Sequence, residues 1–345
     1  MNRPRLTAMP EPSPRNFEGP IEPMADLLKR MRLRINALRL DLTGLNVITE
    51  AATGAYSCTA VIAALAGAAR VHTIARSTRK HGSAAQATAA TLSLARLGGV
   101  GDVITPLQEL DRHVLARCDI LTNSGHIRPI SREIIAYLPS SAVIALMFEA
   151  WEFRASDVDL DACRTKGVRV AAVNERHPHV AVFPFLGPLC VRQLSDAGMP
   201  VRNKRIALIC DNPFASFMKV GLEEQGAVVA VFGDSASLTS NSWDAVVLAL
   251  HPDTPPTGGE FFAALAEMAP HVLVTQFWGD VDRSAASHFG VRMWPPQEPS
   301  KGHMGILLSV LGPEPIVRLQ AGGLRAAELV LRGCPLSDKS IAQPL

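Results

Sequence analysis

The chain has 345 residues, 48% of them hydrophobic and 19% charged, with a net charge of +2. That length suffices for two domains of ordinary size, and that balance describes a soluble globular protein with a large core. The near-neutral charge gives no general argument for nucleic acid or membrane, no apolar run reaches a membrane span, and neither partner is expected. The first twenty residues, MNRPRLTAMPEPSPRNFEGP, are Pro-rich and polar and read as a flexible arm, not a signal peptide. Ile21–Leu40 then reads as an amphipathic helix, and its basic run Lys29–Arg39 as a solvated face.

From there strands and helices alternate. Strands are predicted at Leu45–Thr49, Arg70–Ile74, Asp102–Thr105, Asp119–Thr122, Ala142–Leu146 and Val168–Val173. Between them lie helices at Tyr56–Gly67, Ala84–Leu97, Leu110–Ala116, Ser131–Tyr137 and Leu160–Lys166. Short apolar strands separated by helices imply a parallel sheet covered on both faces. Pro184–Leu194 is an apolar helix leading out of this unit, and Asp196–Lys204 a hinge-like linker. A second unit follows, with strands at Ile206–Cys210, Val228–Phe232, Ala245–Ala249 and Val272–Thr275 and a closing helix at Ile316–Leu331. The expected class is α/β, two Rossmann-like doubly wound parallel-sheet lobes with a cleft between them. The expected division is an arm at 1–20, a substrate-type lobe at 21–195, a cofactor-type lobe at 196–312 and a returning C-terminal segment at 313–345. The six cysteines are dispersed without a CxxC pair, as in a reducing, cytoplasmic compartment.

The segment KRIALICDNPFASFMKVGLEEQG has the strand–turn–helix rhythm of a dinucleotide-binding unit. Cys210, Asn212 and Ala215 fill its three glycine positions, and the first two put side chains where phosphate would lie. Asp234, just past the next strand, is placed to bond a ribose hydroxyl or to hold a turn. Other polar groups gather at strand ends. EAWEFR offers Glu149, Glu152 and Arg154 to a substrate, or else an internal salt bridge, with Trp151 as a pocket wall. NERHPH offers His177 and His179, but Pro178 extends the segment, so a polar rim is expected there and no metal. TGAYSCT could hold an anion or serve as turn and cap. The cluster Arg76–Lys80 could meet a ribose phosphate in the first lobe. His303, in KGHMG, is a candidate proton carrier, or a surface histidine in a Gly-rich loop.

Several stretches together resemble the D-isomer-specific 2-hydroxyacid dehydrogenases, from about Asp119 to Leu336. CDILTNSGHIRPISREIIAYLP and VIALMFEAWEFRASDVDLDACRTKGVRVAAVN resemble the end of that family's substrate lobe. HVAVFPFLGPLCVRQL resembles the crossing helix, and PSKGHMGILLS with GLRAAELVLRGCPL the segment of the catalytic histidine and the returning helix. LNVITEAATGAYSCTAVIAALAGAARVHTIARS is similar to S-adenosylhomocysteine hydrolase. The resemblance implies NAD or NADP in the second lobe, His303 as general acid, and a homodimer. It puts Trp278 where an arginine would clamp a substrate carboxylate. The leading expectation is an enzyme acting on a small polar substrate, with His303 moving the proton and Glu149, Glu152 and Arg154 orienting the substrate. The alternatives are a ligand-binding or scaffold descendant without dinucleotide binding, and a lyase or hydrolase using the same cleft.

Overall fold

The computed structural model of the chain describes residues 23–78, 82–239, 242–337 and 339–345. The expected arm at 1–20 and the basic residues Arg79 and Lys80 lie outside the described residues. The first lobe runs through α1 (Met24–Leu38), β1 (Asn46–Glu50), α2 (Cys58–Leu65), β2 (Arg70–Ile74), α3 (Ala84–Leu97) and β3 (Ile104–Leu107). It continues through α4 (Arg112–Leu115), β4 (Ile120–Thr122), α5 (Arg132–Tyr137), β5 (Val143–Ala145), α6 (Leu160–Lys166) and β6 (Arg169–Val173). Helix α7 (Leu186–Asp196) leads to the second lobe: β7 (Arg205–Ile209), α8 (Phe214–Glu224), β8 (Val228–Phe232) and β9 (Ala245–Ala249). Then come α9 (Gly259–Met268), β10 (Leu273–Trp278), α10 (Arg283–His288) and β11 (Arg292–Trp294). The chain closes with α11 (Glu314–Leu331) and β12 (Ala342–Pro344).

The first sheet has seven strands in the order β12-β6-β5-β4-β1-β2-β3, and the second five in the order β11-β10-β9-β7-β8. All pairings are parallel except β12 against β6. In each sheet the strand order reverses at one place, between β1 and β4 in the first and between β7 and β9 in the second. Such reversals are where open α/β sheets form ligand crevices, at the carboxyl ends of the strands.

Local chemistry sets the boundaries. Ser83 and Gln86 form a capping box at the start of α3. Asp159 caps α6, and Gly167 ends it in the left-handed region at φ +82°. The third strand lies two residues later than the apolar pattern suggests, because Gly101–Val103 forms a 3-10 turn and Pro106 is tolerated on a sheet edge. Helix α11 returns to the first lobe, where Ile316, Val317, Ala321 and Leu324 join the core of Met31, Val47 and Val61. Helices α7 and α8 cross at a pair of glycines. A Cβ on Gly187 would lie 2.6 Å from the Gly221 Cα and 2.9 Å from the Phe217 carbonyl.

Candidate functional site

Aromatic rings pack the loop after β5 in the first lobe against the second lobe. Trp151 follows β5, in the 3-10 turn Ala150–Glu152. Its ring reaches the second lobe edge-on to Phe214 (centroids 5.3 Å) and Trp278 (5.8 Å), and lies 5.9 Å from His251. Phe214, the first residue of α8, stacks on Trp278 at 5.1 Å and 30°, and Phe183 meets it edge-on at 5.3 Å. Phe214 and Trp278 are buried. Where the resemblance implied an arginine for a substrate carboxylate, an indole packs against the first turn of the nucleotide-type helix.

The turn between β7 and α8 is closed by its own side chains. Asn212 donates from Nδ2 to the Ala249 carbonyl (2.7 Å) and accepts the Phe214 amide on Oδ1 (3.1 Å). The Ala215 amide goes to the Asn212 carbonyl at 3.2 Å. Asp211 accepts the His251 amide (2.8 Å) and the Thr254 hydroxyl (2.6 Å). The loops after β7 and β9, which flank this sheet's reversal point, are thus tied together. Cys210 is buried, its thiol within 3.5 Å of Asn212 Oδ1, and burial pushes the thiol up to about 12. Asp234 is exposed and accepts both the amide and the hydroxyl of Ser237 at 2.7 Å, so it caps its own turn. The Phe214 and Ala215 amides at this helix N-terminus, where a pyrophosphate would bind, are thus taken up by Asn212.

Glu149 is fully buried. Its carboxylate accepts from Trp151 Nε1 (2.8 Å), from the amides of Glu175 (2.9 Å) and Arg176 (3.3 Å), and from Arg176 Nε (3.1 Å). It therefore binds the loops after β5 and β6 to each other, and does not face the cleft as its place after an apolar strand suggests. Glu152 accepts the Glu149 amide at 3.2 Å, and Glu175 is buried beside them. Burial raises the Glu152 carboxyl to about 8, with the Glu149 charge adding to it; burial, then Glu152 and Glu149, raises Glu175 well above the carboxylate range.

This carries a pH signature. A carboxyl whose pKa rises on folding stabilises the fold below its unfolded value, and that stability is lost as pH climbs through the folded value. For Glu152 the window runs from about 4.5 to about 8. Glu152→Gln, neutral at every pH, should leave the melting temperature nearly unchanged at the acid end and raise it at the alkaline end. Melting curves across that window read this directly, and parallel curves for the two proteins would show that Glu152 does not titrate with folding.

Arg154 spans the lobes. It forms ion-paired hydrogen bonds with Asp157 Oδ2 (2.9 Å from Nη2) and donates from Nη1 to the Gly302 carbonyl at 3.0 Å. Trp278 Nε1 donates to the same carbonyl at 3.3 Å. His303 follows directly, but its ring is exposed and Nδ1 lies 3.0 Å from the Lys301 carbonyl within its own loop. Among the described residues no hydrogen bond joins His303 to Glu149, Glu152 or Arg154. His177 Nδ1 accepts the His179 amide at 3.2 Å, and no group of acidic, His or Cys residues among the described ones is arranged to hold a metal. Ser57 and Thr59 bond the Gly54 carbonyl and Gln320 Oε1, both at 2.8 Å, which leaves them as turn and packing groups. Arg76 is exposed after β2.

A polar cluster that the sequence does not announce sits at the first sheet's reversal point. Thr49 and Thr122 bond at 2.8 Å across β1 and β4, and Thr122 bonds Ser124 at 2.9 Å. One residue further along each strand stand Glu50 and Asn123, both buried. His126 donates its amide to Glu50 Oε2 (3.1 Å), and its Nδ1 lies 3.1 Å from the Ala51 carbonyl. The residues follow predicted strand ends in ordinary-looking stretches, TEAATG and TNSGHI. Only the sheet order makes them neighbours.

No family model matches the chain, and no curated protein sequence matches it. Solved structures do. Dipicolinate synthase from Bacillus subtilis matches with a TM-score of 0.54 at 12% identity, over 86% of this chain and 99% of that one. Dipicolinate synthase from Bacillus halodurans matches with 0.52 at 13% identity, over 84% and 98%. An NAD+-bound 3-phosphoglycerate dehydrogenase from Entamoeba histolytica aligns over 84% and 97%, with a TM-score of 0.45 at 10% identity. No helix of the described residues is long and apolar enough to cross a membrane. The two parallel sheets, the crossing helix and the returning C-terminal helix give this chain a two-lobed, Rossmann-like α/β fold shared with the dipicolinate synthase structures.

Proposed function

We propose that this chain keeps the dehydrogenase fold without dinucleotide binding in its second lobe, and that it binds a small polar molecule on the cleft-facing edge of its first lobe. The observation that carries the reading is the closed β7–α8 turn. Asn212 takes up the Phe214 amide, and Phe214 is stacked under Trp278 at the helix start where pyrophosphate would have to approach. A side chain at that position and a ring over that helix turn remove both the space and the donors that a phosphate needs. The second sheet also ends at β8, with no further strand beside it among the described residues, whereas the order 3-2-1-4-5-6 of the dinucleotide fold has one more there. Hydride transfer through a nicotinamide in this lobe is therefore not part of the reading, and His303, exposed on its loop, is not assigned a proton step.

Calorimetric titration of the purified protein with NADH and with NADPH tests this, together with mass spectrometry of any nucleotide carried from the cell. The expected result is no saturable binding and no carried nucleotide. Micromolar binding of either would overturn the reading and return the search to 2-oxo and 2-hydroxy acids with His303 as the acid.

A further inference from the structure

The two reversal points are built differently. The one in the second lobe is bridged by Asn212 and Asp211. The one in the first lobe leaves polar groups without partners. Asn123 is 1% exposed, and neither Nδ2 nor Oδ1 has a hydrogen-bond partner. Buried amides are almost always bonded, and an orphaned donor and acceptor in one side chain point to something that binds there. The parallel register Val47 with Ile120 and Ile48 with Leu121, continued by the Thr49–Thr122 bond, places Glu50 opposite Asn123. Alternation along the strands puts the two on one face of the sheet.

The cluster is rich in acceptors. A carbonyl can only accept, so the contact with Ala51 puts a proton on His126 Nδ1, and in the neutral ring Nε2 then carries the lone pair. Glu50 contributes a carboxyl that receives one backbone amide, with the His126 Nδ1 3.9 Å away. The nearest guanidinium acting on it, Arg128, is paired with Asp157 at 3.4 Å. Burial pushes the Glu50 carboxyl above its ordinary range, opposed by the His126 amide, by the His126 ring when it is protonated, and by the charge of Arg128. Ionised in that buried place, the carboxyl gains from a cation and repels a carboxylate.

We propose that the carboxyl ends of β1 and β4 form a binding site for a small organic cation of the amine or guanidinium class. Glu50 holds the charge, Asn123 Oδ1 and His126 Nε2 accept its remaining N–H groups, and Asn123 Nδ2 meets an acceptor on the ligand. The inference rests on the reading above only in placing the ligand on the first lobe. It stands or falls on a different measurement, so failure of one is distinguishable from failure of the other.

The test uses the full-length isotope-labelled protein, following the Asn123 side-chain NH2 and the His126 ring by NMR. The probes are methylguanidinium chloride and methylammonium chloride, with sodium acetate and sodium chloride as controls. Either cation should shift both residues saturably, while acetate and sodium chloride should not. Glu50→Gln, close in shape, should weaken the cation's binding roughly tenfold, as loss of a charge-assisted hydrogen bond does. No saturable shift with either cation, an equal response to acetate, or an unchanged affinity in Glu50→Gln would each overturn the assignment. The comparison of cation with acetate in the wild-type protein decides the matter even if the variant does not fold.

Discussion

Glu149→Ala should destabilise the protein by about 3–5 kcal/mol, since it removes a fully buried carboxylate from buried donors that stay behind. The carboxylate holds an indole N–H, two backbone amides and a guanidinium from one fully buried position. Truncation leaves the indole N–H and the Glu175 amide without an acceptor, at about 1–3 kcal/mol for each one that stays buried, while the Arg176 amide keeps Asn174 Oδ1 at 3.2 Å. Two effects oppose the loss. Arg176 is half-exposed and can return to water, and removing the Glu149 charge relieves Glu152 and Glu175, whose carboxyls it pushes up. Neither restores an acceptor to Trp151 Nε1 or to the Glu175 amide, so the loss wins. Denaturant unfolding followed by tryptophan fluorescence measures it, since Trp151 sits on the affected turn. A change below about 1 kcal/mol would show that the loops after β5 and β6 do not depend on this carboxylate, and would return Glu149 to the substrate-orienting role expected from its place after a strand.

Gly221→Ala should lower stability, although the same substitution in an ordinary helix interior raises it by about 1 kcal/mol. Gly221 lies inside α8, and a Cβ there would press on the Gly187 Cα of α7. The atoms it meets are backbone, which no rotamer change can move aside. Overpacking of a close-packed interior costs about 1–3 kcal/mol, and a rigid contact belongs at the upper end. The clash therefore exceeds the propensity gain, and a net loss of about 2 kcal/mol is expected. The consequence extends to the aromatic cluster, because α8 begins at Phe214 and carries that ring against Trp278 and Trp151. Urea unfolding with near-ultraviolet circular dichroism reads both the stability and the aromatic packing. A midpoint equal to or above that of the wild type would mean that α7 and α8 separate without cost.

The two-lobed architecture was legible because it is written in local periodicity. Short runs such as Val143–Ala145 and Ala245–Ala249 are apolar on both faces, as strands covered on two sides must be. Ser83 with Gln86, and Asp159 with Gly167, mark helix ends by side chains that satisfy the terminal amides. The antiparallel strand β12 was not legible, since a three-residue polar segment ending in Pro344 becomes a strand only by pairing with β6.

The altered β7–α8 turn was also legible, because Cys210 and Asn212 stand in the glycine positions of a local motif. What those side chains do was decided by the tertiary structure. Asn212 acts by reaching Ala249 on the neighbouring strand, and Trp278 by stacking on a helix that begins more than sixty positions earlier. EAWEFR announced polar groups at a strand end, but whether Glu149 faces solvent or core depends on the loop after β6, whose amides it takes. Glu50 and Asn123 are separated by more than seventy positions, and no spacing links them. Sheet order alone brings them side by side, because the strand that pairs with β1 opposite β2 is β4 and not the next one in sequence. The sequence by itself determined which segments form strands and helices and which turn lost its glycines, since those depend on neighbours within a few residues. The tertiary structure decided which polar groups are spent on holding loops and lobes together and which are left without partners, since hydrogen bonds are completed across strands and lobes.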